Sequence, residues 1–307
     1  MWRSAMLAVS TNEGLRRLVM RSGVGWRVAS RFVAGETIGE ALAAAIELDR
    51  RRALVELDYL GEHVTEERQA SLALGAYVEA LDRIADSRIH AQVSLKASQM
   101  GLELGDDLCY RNCRRVMERA AEHGNFVWID MEGSDSTERT VQLYKRLRAA
   151  HDNVGLAIQA YLYRSKADVE AIISIEGTVR LCKGAYDEPP QVAFRKKSEV
   201  DGNYRRLTEA LLASGRYHAI ATHDEKMILH TIDIARARGL SNQAFEFQML
   251  YGVRRALQVR LIREGYRVRI YVPYGEQWYP YLMRRLAERP ANVLFLLKSV
   301  ISEVRAG

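Results

Sequence analysis

The chain has 307 residues, of which 48% are hydrophobic and 27% are charged, so it can bury a large core without disulfide support. Its cysteines, Cys109, Cys113 and Cys182, form no CxxC pair, which indicates a reducing compartment rather than a disulfide framework. The net charge of +6 is spread over segments that also carry glutamates, a pattern typical of solvated helix faces rather than of nucleic-acid binding. The sequence shows no secretory signal and no apolar run of about 18 residues, so it predicts no transmembrane helix.

Residues 1–50 predict helices, and the clearest is Glu36–Arg51, where apolar residues recur along one face. The pattern then changes to short apolar runs of strand length. Eight such runs are predicted as strands: Ala53–Leu57, Ala91–Leu95, Phe126–Met131, Val154–Ala160, Val179–Cys182, Ala219–Thr222, Ala244–Met249 and Val268–Val272.

Segments long enough for a helix separate these runs. They are Glu66–Arg83, Leu108–His123, Thr137–Arg148, Lys166–Ile173, Tyr204–Ser214, Glu225–Arg238 and Arg254–Glu264. Alternating strands and helices favour parallel pairing with right-handed crossovers, and eight repeats predict a closed (βα)8 barrel of the TIM type. The alternative is an open doubly wound sheet, but no GxGxxG follows the first strand. We therefore expect a single domain over residues 1–307, with residues 1–50 as an N-terminal helical segment.

The fifth strand carries charge where a core is expected. Val179–Tyr186 contains Arg180 and Lys183, and Gly184 and Ala185 follow where the strand ends. Burying an unpaired cation costs several kcal/mol, so each of the two requires an anionic partner. Carboxylates, a phosphate or an electron-rich cofactor are the possible partners, and a purely structural salt-bridge network is the alternative to a binding site.

Polar side chains recur at the carboxyl ends of successive predicted strands. They include Lys96, Asp130, Glu132, Gln159, Arg180, Lys183, Thr222, His223, Asp224, Gln248, Tyr271 and Tyr274. Active sites of (βα)8 barrels form at these strand ends, so the sequence predicts a site here. We expect a close ion pair between Lys96 and Asp130 on neighbouring strands. The histidines lie at no metal-ligand spacing, so no metal is predicted.

The segment Tyr274–Arg289 follows the last strand and predicts a helix. Tyr281, Arg284 and Arg285 are spaced so that one helix brings them to the same side. Two adjacent guanidinium groups above a barrel mouth would form a clamp for a carboxylate. The alternative is a solvated basic face that Glu288 neutralises.

Seven motifs in order resemble those of proline dehydrogenases: VSLKASQMGL (93–102), WIDMEGS (128–134), RLCKGAY (180–186), ATHD (221–224), FEFQMLYGV (245–253), YVPYG (271–275) and YLMRR (281–285). The resemblance covers about residues 53–298 and is weaker over residues 1–50. It implies a distorted (βα)8 barrel with FAD bound noncovalently at the strand ends and the final helix over the flavin. It also implies oxidation of L-proline to Δ1-pyrroline-5-carboxylate, with electrons passed to a quinone.

The resemblance assigns roles to individual residues. It implies that Asp130 and Arg180 lie closest to the catalytic chemistry, and that Arg284 and Arg285 bind the proline carboxylate. Lys96 would also contact the carboxylate, while Leu250, Tyr271 and Tyr281 would form the walls around the proline ring. The implied flavin contacts are Met131, Gln159, Arg180, Lys183, Gly184, Ala185, Thr222 and His223. Cys182 replaces the valine-like residue usual in the family, which is a small apolar change.

The resemblance also implies partners and a location. The chain is short for the bifunctional members of the family, so a separate pyrroline-5-carboxylate dehydrogenase is expected to take the product. A quinone acceptor implies transient membrane contact, so we expect a cytoplasmic protein that can lie at the inner face of the cell membrane. The amphipathic segment Val293–Val304 would dock on the barrel or touch lipid.

Two other function classes remain open from the residues alone. A lysine at a barrel strand end, Lys96 or Lys183, would serve as the nucleophile of a Schiff-base aldolase. A basic protein without catalytic activity would use its positive charge to bind polyanions.

Overall fold

Residues 23–287, together with Arg17 and Val19, are the part of the chain that the computed structural model describes. Its centre is a closed barrel of parallel strands in sequence order, in which β1 pairs with both β2 and β8. The strands are β1 (Leu54–Tyr59), β2 (Ala91–Lys96), β3 (Val127–Asp130), β4 (Val154–Gln159), β5 (Thr178–Cys182), β6 (Ala219–Ala221), β7 (Glu246–Leu250) and β8 (Arg267–Tyr274). The (βα)8 barrel expected from the sequence is therefore confirmed.

Helices surround the barrel, and two of those whose bounds the structure describes precede the first strand. The described helices are α1 (Gly23–Ala29), α2 (Ile38–Asp49), α3 (Glu67–Ser87), α4 (Asp106–Glu122), α5 (Thr137–Arg148), α6 (Ser165–Ser174), α7 (Lys197–Ala213), α8 (Glu225–Ala237), α9 (Arg255–Arg263) and α10 (Trp278–Ala287). Helix α2 begins at a capping box, in which Thr37 and Glu40 satisfy each other's backbone amides.

The predicted strands and helices match the observed ones closely, apart from two helix starts. Helix α10 begins at Trp278, whereas the predicted helical segment began at Tyr274, which is the last residue of β8. Helix α7 begins at Lys197, whereas the sequence predicted a start at Tyr204. The added turns contain a glycine and mostly polar residues, which carry little helical signal. A tertiary contact holds this start in place, because Asp201 accepts a hydrogen bond from Lys183, which follows β5.

The first strand shows how the barrel separates its two environments. Val55 and Leu57 are fully buried in the apolar layer between the strands and the helices. Glu56 and Asp58 alternate with them and point to the barrel interior, because Glu56 reaches Arg180 of β5 on the opposite side. Successive side chains of β1 therefore alternate between an apolar outer face and a charged inner face.

A second apolar cluster holds the last helix above the barrel mouth. In α10, Trp278, Leu282 and Leu286 pack with Ala29 of α1 and with Leu60, directly after β1. The indole of Trp278 also donates a hydrogen bond of 2.8 Å to Glu36. The N-terminal helical segment thus has a structural role that the sequence did not reveal, since its α1 fixes the helix that carries Tyr281, Arg284 and Arg285.

Within the described residues, no helix combines the length and hydropathy needed to cross a membrane. The segment Val293–Val304 lies outside the described residues, so both of its predicted contacts stay predictions. The assignment of residues 1–307 to a single domain also stays a prediction.

We expect Gly252→Ala to lower the free energy of unfolding much more than Gly239→Ala. Both glycines have left-handed backbones, with φ of 76° and 67°, where an added side chain costs about 1–2 kcal/mol. A Cβ on Gly252 would also lie 1.7 Å from the carbonyl oxygen of Arg31, whereas a Cβ on Gly239 meets nothing within 4 Å. Denaturant unfolding of both variants measures the difference, and equal losses would contradict the close backbone approach at Gly252.

Candidate functional site

A cavity of about 410 Å³ opens at the carboxyl ends of the barrel strands, under α10. Every catalytic, substrate-binding and cofactor-binding residue expected from the sequence lines it: Lys96, Asp130, Met131, Gln159, Arg180, Lys183, Gly184, Ala185, Thr222, His223, Leu250, Tyr271, Tyr281, Arg284 and Arg285. The carboxyl ends of parallel strands meet at one face of a barrel, which is why residues distant in sequence converge here. Their individual roles stay predictions.

A chain of five alternating charges crosses the base of this cavity, in the order Glu56, Arg180, Asp130, Lys96 and Asp58. Arg180 donates to Glu56 and, over 2.7 Å, to Asp130. Lys96 donates to Asp58 over 2.6 Å and to Asp130 over 3.2 Å, which confirms the expected Lys96–Asp130 pair. We refer to these five residues as the charge chain.

Neutral side chains fix the geometry of the charge chain. The Tyr271 hydroxyl donates to Asp130 over 2.7 Å, and the Ser94 hydroxyl donates to its other oxygen over 3.0 Å. The guanidinium of Arg180 lies 4.6 Å from the centre of the Trp128 ring, within cation–π range. Asp130 is thus held by hydrogen bonds on both oxygens, and its orientation is fixed before any ligand binds.

Burial and charge act differently on the members of the charge chain. Burial disfavours ionisation of Asp130, but the charges of Lys96 and Arg180 outweigh it and lower its pKa. Burial raises the pKa of Glu56 to about 7, although the charge of Arg180 acts to lower it. Burial likewise raises the pKa of Asp58 to about 6, although the charge of Lys96 acts to lower it. Asp130 therefore stays ionised at neutral pH, while the two ends of the charge chain lie close to titration.

Lys96 is held in its charged form. Burial acts to lower its pKa, but the carboxylates of Asp58 and Asp130 outweigh burial and raise it. A Schiff-base nucleophile must instead be a neutral amine, which requires a lowered lysine pKa. This geometry argues against the aldolase alternative at Lys96.

The cations of the fifth strand both have carboxylate partners. Arg180 is buried as expected, whereas Lys183 lies past the strand end and its side chain is 24% exposed, so placing Lys183 in the core was wrong. Lys183 donates to Asp201 over 2.5 Å and to Asp224 over 2.7 Å. Burial opposes ionisation of Asp224, but its bond to Lys183 lowers its pKa to about 2. Carboxylates, among the partners considered from the sequence, thus supply the counter-charge.

Helix α10 supplies the upper wall of the cavity. Arg284 forms two hydrogen bonds to Glu62, of 2.8 and 2.5 Å, and Arg285 lies over the Tyr281 ring at 5.3 Å. The Arg284 side chain is only 17% exposed, so the alternative of a solvated basic face does not describe it. Tyr281, Arg284 and Arg285 all line the cavity, as the helical spacing predicted.

A second wall lies at the ends of β4 to β6, where small residues stand beside the charged Arg180, Lys183 and Asp224. Ala157, Gly184, Ala185 and Ala221 carry no bulky side chain, which leaves room for a flat ligand. Gln159 is fixed at both ends of its amide, because it donates to the Glu132 carbonyl over 2.7 Å and accepts from the Ala185 amide over 3.2 Å. The ring Nε2 of His223 accepts from the Leu250 amide over 2.8 Å.

Three acidic residues of the site were missed from the sequence: Glu56, Asp58 and Glu62. The sequence does indicate Glu56 and Asp58, because acidic residues at alternate positions in a buried strand must face a polar interior. Glu62 lies in the loop after β1, where an acidic residue is ordinary, so sequence spacing gave no signal for it.

Comparison with known proteins agrees with the fold and identifies the family. The proline dehydrogenase family model matches residues 41–298. The chain is 40% identical over 277 residues to proline dehydrogenase 2 of Bacillus subtilis, covering 90% of this chain and 91% of that protein. It is 27% identical over 346 residues to the bifunctional protein PutA of Escherichia coli, covering 94% of this chain and 26% of PutA.

A solved structure has the same fold. The chain superposes on proline utilization A from Bdellovibrio bacteriovorus, inactivated by N-propargylglycine, with a TM-score of 0.81 at 25% sequence identity. The alignment covers 93% of this chain and 36% of that one. The extent of the family match and the identity to a full-length relative are sufficient for assignment: the chain belongs to the proline dehydrogenase family and is an enzyme of proline catabolism that acts on proline.

Proposed function

We propose that the enzyme oxidises L-proline to Δ1-pyrroline-5-carboxylate, with FAD as the hydride acceptor and a quinone as the final electron acceptor. The observation that carries this proposal is the asymmetry of the cavity. One wall presents Arg284 and Arg285 from α10, and the other presents the small residues of β4 to β6. The first wall suits a carboxylate, and the second suits a flat aromatic ring system.

The residues of the second wall fit a flavin. Gly184, Ala185 and their small neighbours leave space for a planar ring, and the fixed amide of Gln159 offers polar contact at its edge. Proline dehydrogenases are flavin-dependent in general, and a bound flavin supplies the hydride acceptor that no side chain provides. Met131, Thr222, His223 and Lys183 border the same space and would hold the cofactor there.

On the first wall, the proline carboxylate would bind the guanidinium groups of α10. Arg284 is already bonded to Glu62, so a substrate carboxylate would compete with Glu62 for this guanidinium. Lys96 also lines the cavity and would add a further positive charge for the carboxylate. Tyr271, Tyr281 and Leu250 supply the apolar surface that the proline ring needs.

Below the substrate, Asp130 and Arg180 would act on the chemistry through charge. The positive charges of Arg180 and Lys183 would stabilise negative charge gained by the cofactor, as preorganised cations do at active sites. Both cations are already paired with carboxylates, so the structure needs little reorganisation during the reaction.

The product and the electrons both need acceptors. We propose a separate pyrroline-5-carboxylate dehydrogenase for the product. Electron delivery to a quinone would bring a cytoplasmic protein into transient contact with the inner face of the cell membrane.

The purified protein should be yellow, and proline added without oxygen should bleach it. Flavin absorbance falls on reduction, so the bleaching reports hydride transfer from the substrate. Chromatography of the released cofactor separates FAD from FMN, and recovery of colour with a soluble quinone tests the acceptor. A colourless protein that takes up no flavin and is trapped on a carbonyl substrate by borohydride would contradict the proposal and favour an aldolase.

Arg285→Met should raise the KM for proline about 10- to 100-fold and largely keep the flavin content. A hydrogen-bonded contact between a guanidinium and a carboxylate contributes about 1.5–3 kcal/mol, and each 1.4 kcal/mol corresponds to a factor of ten. Arg285→Lys should restore only part of the affinity, because an ammonium lacks the planar fork of donors.

Arg146→Met is the matched control for this measurement. Arg146 also lies over a tyrosine ring, at 3.7 Å from the centre of Tyr110, but on the outside of the barrel. The KM of Arg146→Met for proline should equal that of the wild type. A KM for Arg285→Met within twofold of the wild type would remove Arg285 from the carboxylate site.

Arg180→Met should lower the free energy of unfolding by about 3–5 kcal/mol, because it leaves buried carboxylates without their cation. The loss should be larger near pH 8 than near pH 5. Without Arg180 the pKa of Glu56 rises further and that of Asp130 rises from its lowered value. The folded variant is therefore relatively stable below the ordinary carboxyl pKa and loses this stability as pH rises through the new pKa values.

Denaturant unfolding at the two pH values measures this effect. The control is Arg216→Met, which breaks an exposed pair with Glu176 and should leave stability unchanged. A pH-independent loss at Arg180 would contradict the counter-charge role of this residue.

A further inference from the structure

Oxidation of proline releases a proton as well as a hydride, and the proton needs an acceptor inside the cavity. The proline nitrogen is protonated at neutral pH, and it must carry a lone pair before a hydride leaves the adjacent carbon. A general base has to lie within hydrogen-bond reach of the ammonium and must be unprotonated at the working pH.

Several bases that line the cavity are poorly suited to this task. Asp130 is bonded to Lys96 and Arg180, whose charges outweigh burial and lower its pKa. Asp224 is bonded to Lys183, and its pKa is about 2. The Nε2 lone pair of His223 already accepts the Leu250 amide.

Glu62 is also occupied. Both of its carboxylate oxygens accept hydrogen bonds from Arg284, and this pairing outweighs burial and lowers the pKa of Glu62. A carboxylate that is bonded through both oxygens to a guanidinium has little affinity for a further proton.

Asp58 differs from all of these. It lines the cavity from β1 and is fully buried. Oδ1 accepts from Lys96, whereas Oδ2 is buried and has no hydrogen-bond partner among the described side and main chains. A buried carboxylate oxygen without a donor is costly, and protonation or a donor from the substrate would relieve that cost.

The charge chain also has one negative charge in excess. Three of its members, Glu56, Asp130 and Asp58, are carboxylates, and only Arg180 and Lys96 are cations. The fully ionised charge chain therefore attracts a cation, and it becomes neutral when it takes up one proton. The ammonium of proline supplies both the cation and the proton.

We propose that Asp58 is the base that accepts the ammonium proton of bound proline. The N–H bond breaks, its electron pair stays on nitrogen, and an O–H bond forms at Asp58. The nitrogen lone pair would then form the C=N bond as the adjacent carbon gives up its hydride, for which a bound flavin would supply the acceptor. Asp58 returns its proton to solvent after the product departs.

The groups around Asp58 support this role. The charge of Lys96 on β2 lowers the pKa of Asp58, whereas the charge of Asp130 on β3 raises it. Tyr271 on β8 also lies beside Asp58 and lowers its pKa. Tyr77 of α3 and Tyr274 of β8 face it as well, and burial raises the pKa of both hydroxyls, so they stay neutral. Burial raises the pKa of Asp58 to about 6 despite Lys96, which leaves it ionised at neutral pH yet basic enough to take a proton.

This role presupposes the proposed oxidation of proline, and the pH dependence of kcat/KM tests the two separately. Wild-type enzyme should accept protonated proline, so kcat/KM should rise through an apparent pKa of about 6–7 and then level off. Asp58→Asn should depend on the rare free amine in solution. Its kcat/KM should be lower by about 10²-fold or more near neutral pH, and it should keep rising about tenfold per pH unit toward the pKa of the proline ammonium.

Asp107→Asn is the matched control, because it makes the same change at an exposed aspartate that pairs with Arg146 on the outside of the barrel. The pH profile of this variant should match that of the wild type. A plateau in Asp58→Asn, or an alkaline rise in Asp107→Asn as well, would overturn the assignment.

The wild-type profile tests the inference even if Asp58→Asn does not fold. A wild-type kcat/KM that rises steadily to about pH 9 would show that only the free amine reacts, and Asp58 would then have no proton to accept. No oxidation of proline at any pH would instead refute the proposed function itself.

Discussion

The charge chain that crosses the barrel interior is the interaction on which the rest of the site depends. It joins β1, β2, β3 and β5 through Arg180 and Lys96, each of which is shared between two carboxylates. Ions buried this deeply are stable only when they are paired and hydrogen-bonded. The interior of this barrel is therefore not a simple apolar core, and the same bonds that hold the strands in register set the charge of the cavity.

This constraint explains why the site is rigid on one side and adjustable on the other. Asp130, Arg180 and Lys96 belong to strands and are locked by one another, so their positions are fixed before a ligand binds. Arg284 belongs to α10, which is held by the apolar cluster shared with α1. In the proposed function the bond of Arg284 to Glu62 would be exchanged, since a substrate carboxylate offers the same pair of acceptors.

Much of this organisation follows from sequence spacing. Lys96, Asp130 and Arg180 were expected at the site because they follow buried strands, and a parallel barrel brings such ends together. The helical spacing of Tyr281, Arg284 and Arg285 likewise placed them on one wall. These predictions needed only local periodicity and the rule that active sites form at one face of the barrel.

The missed features depend on contacts that local periodicity does not contain. Glu56 meets Arg180 only because the barrel closes and brings β1 opposite β5. The early start of α7 depends on the bond of Asp201 to Lys183 from outside the helix, which overrides a weak helical signal. The role of α1 appears only when it packs against α10, more than two hundred residues later in the chain.

We expect the two ends of the charge chain to hold an exchangeable proton while Asp130 in its middle stays ionised. Carbon-13 NMR titration of labelled aspartate and glutamate carboxyl groups measures these protonation states directly in the folded protein. Asp58 should titrate near pH 6 and Glu56 near pH 7, and Asp130 should stay ionised throughout that range. Titration of Asp130 between pH 6 and 7, or full ionisation of Asp58 and Glu56 well below pH 6, would contradict the proposed proton exchange.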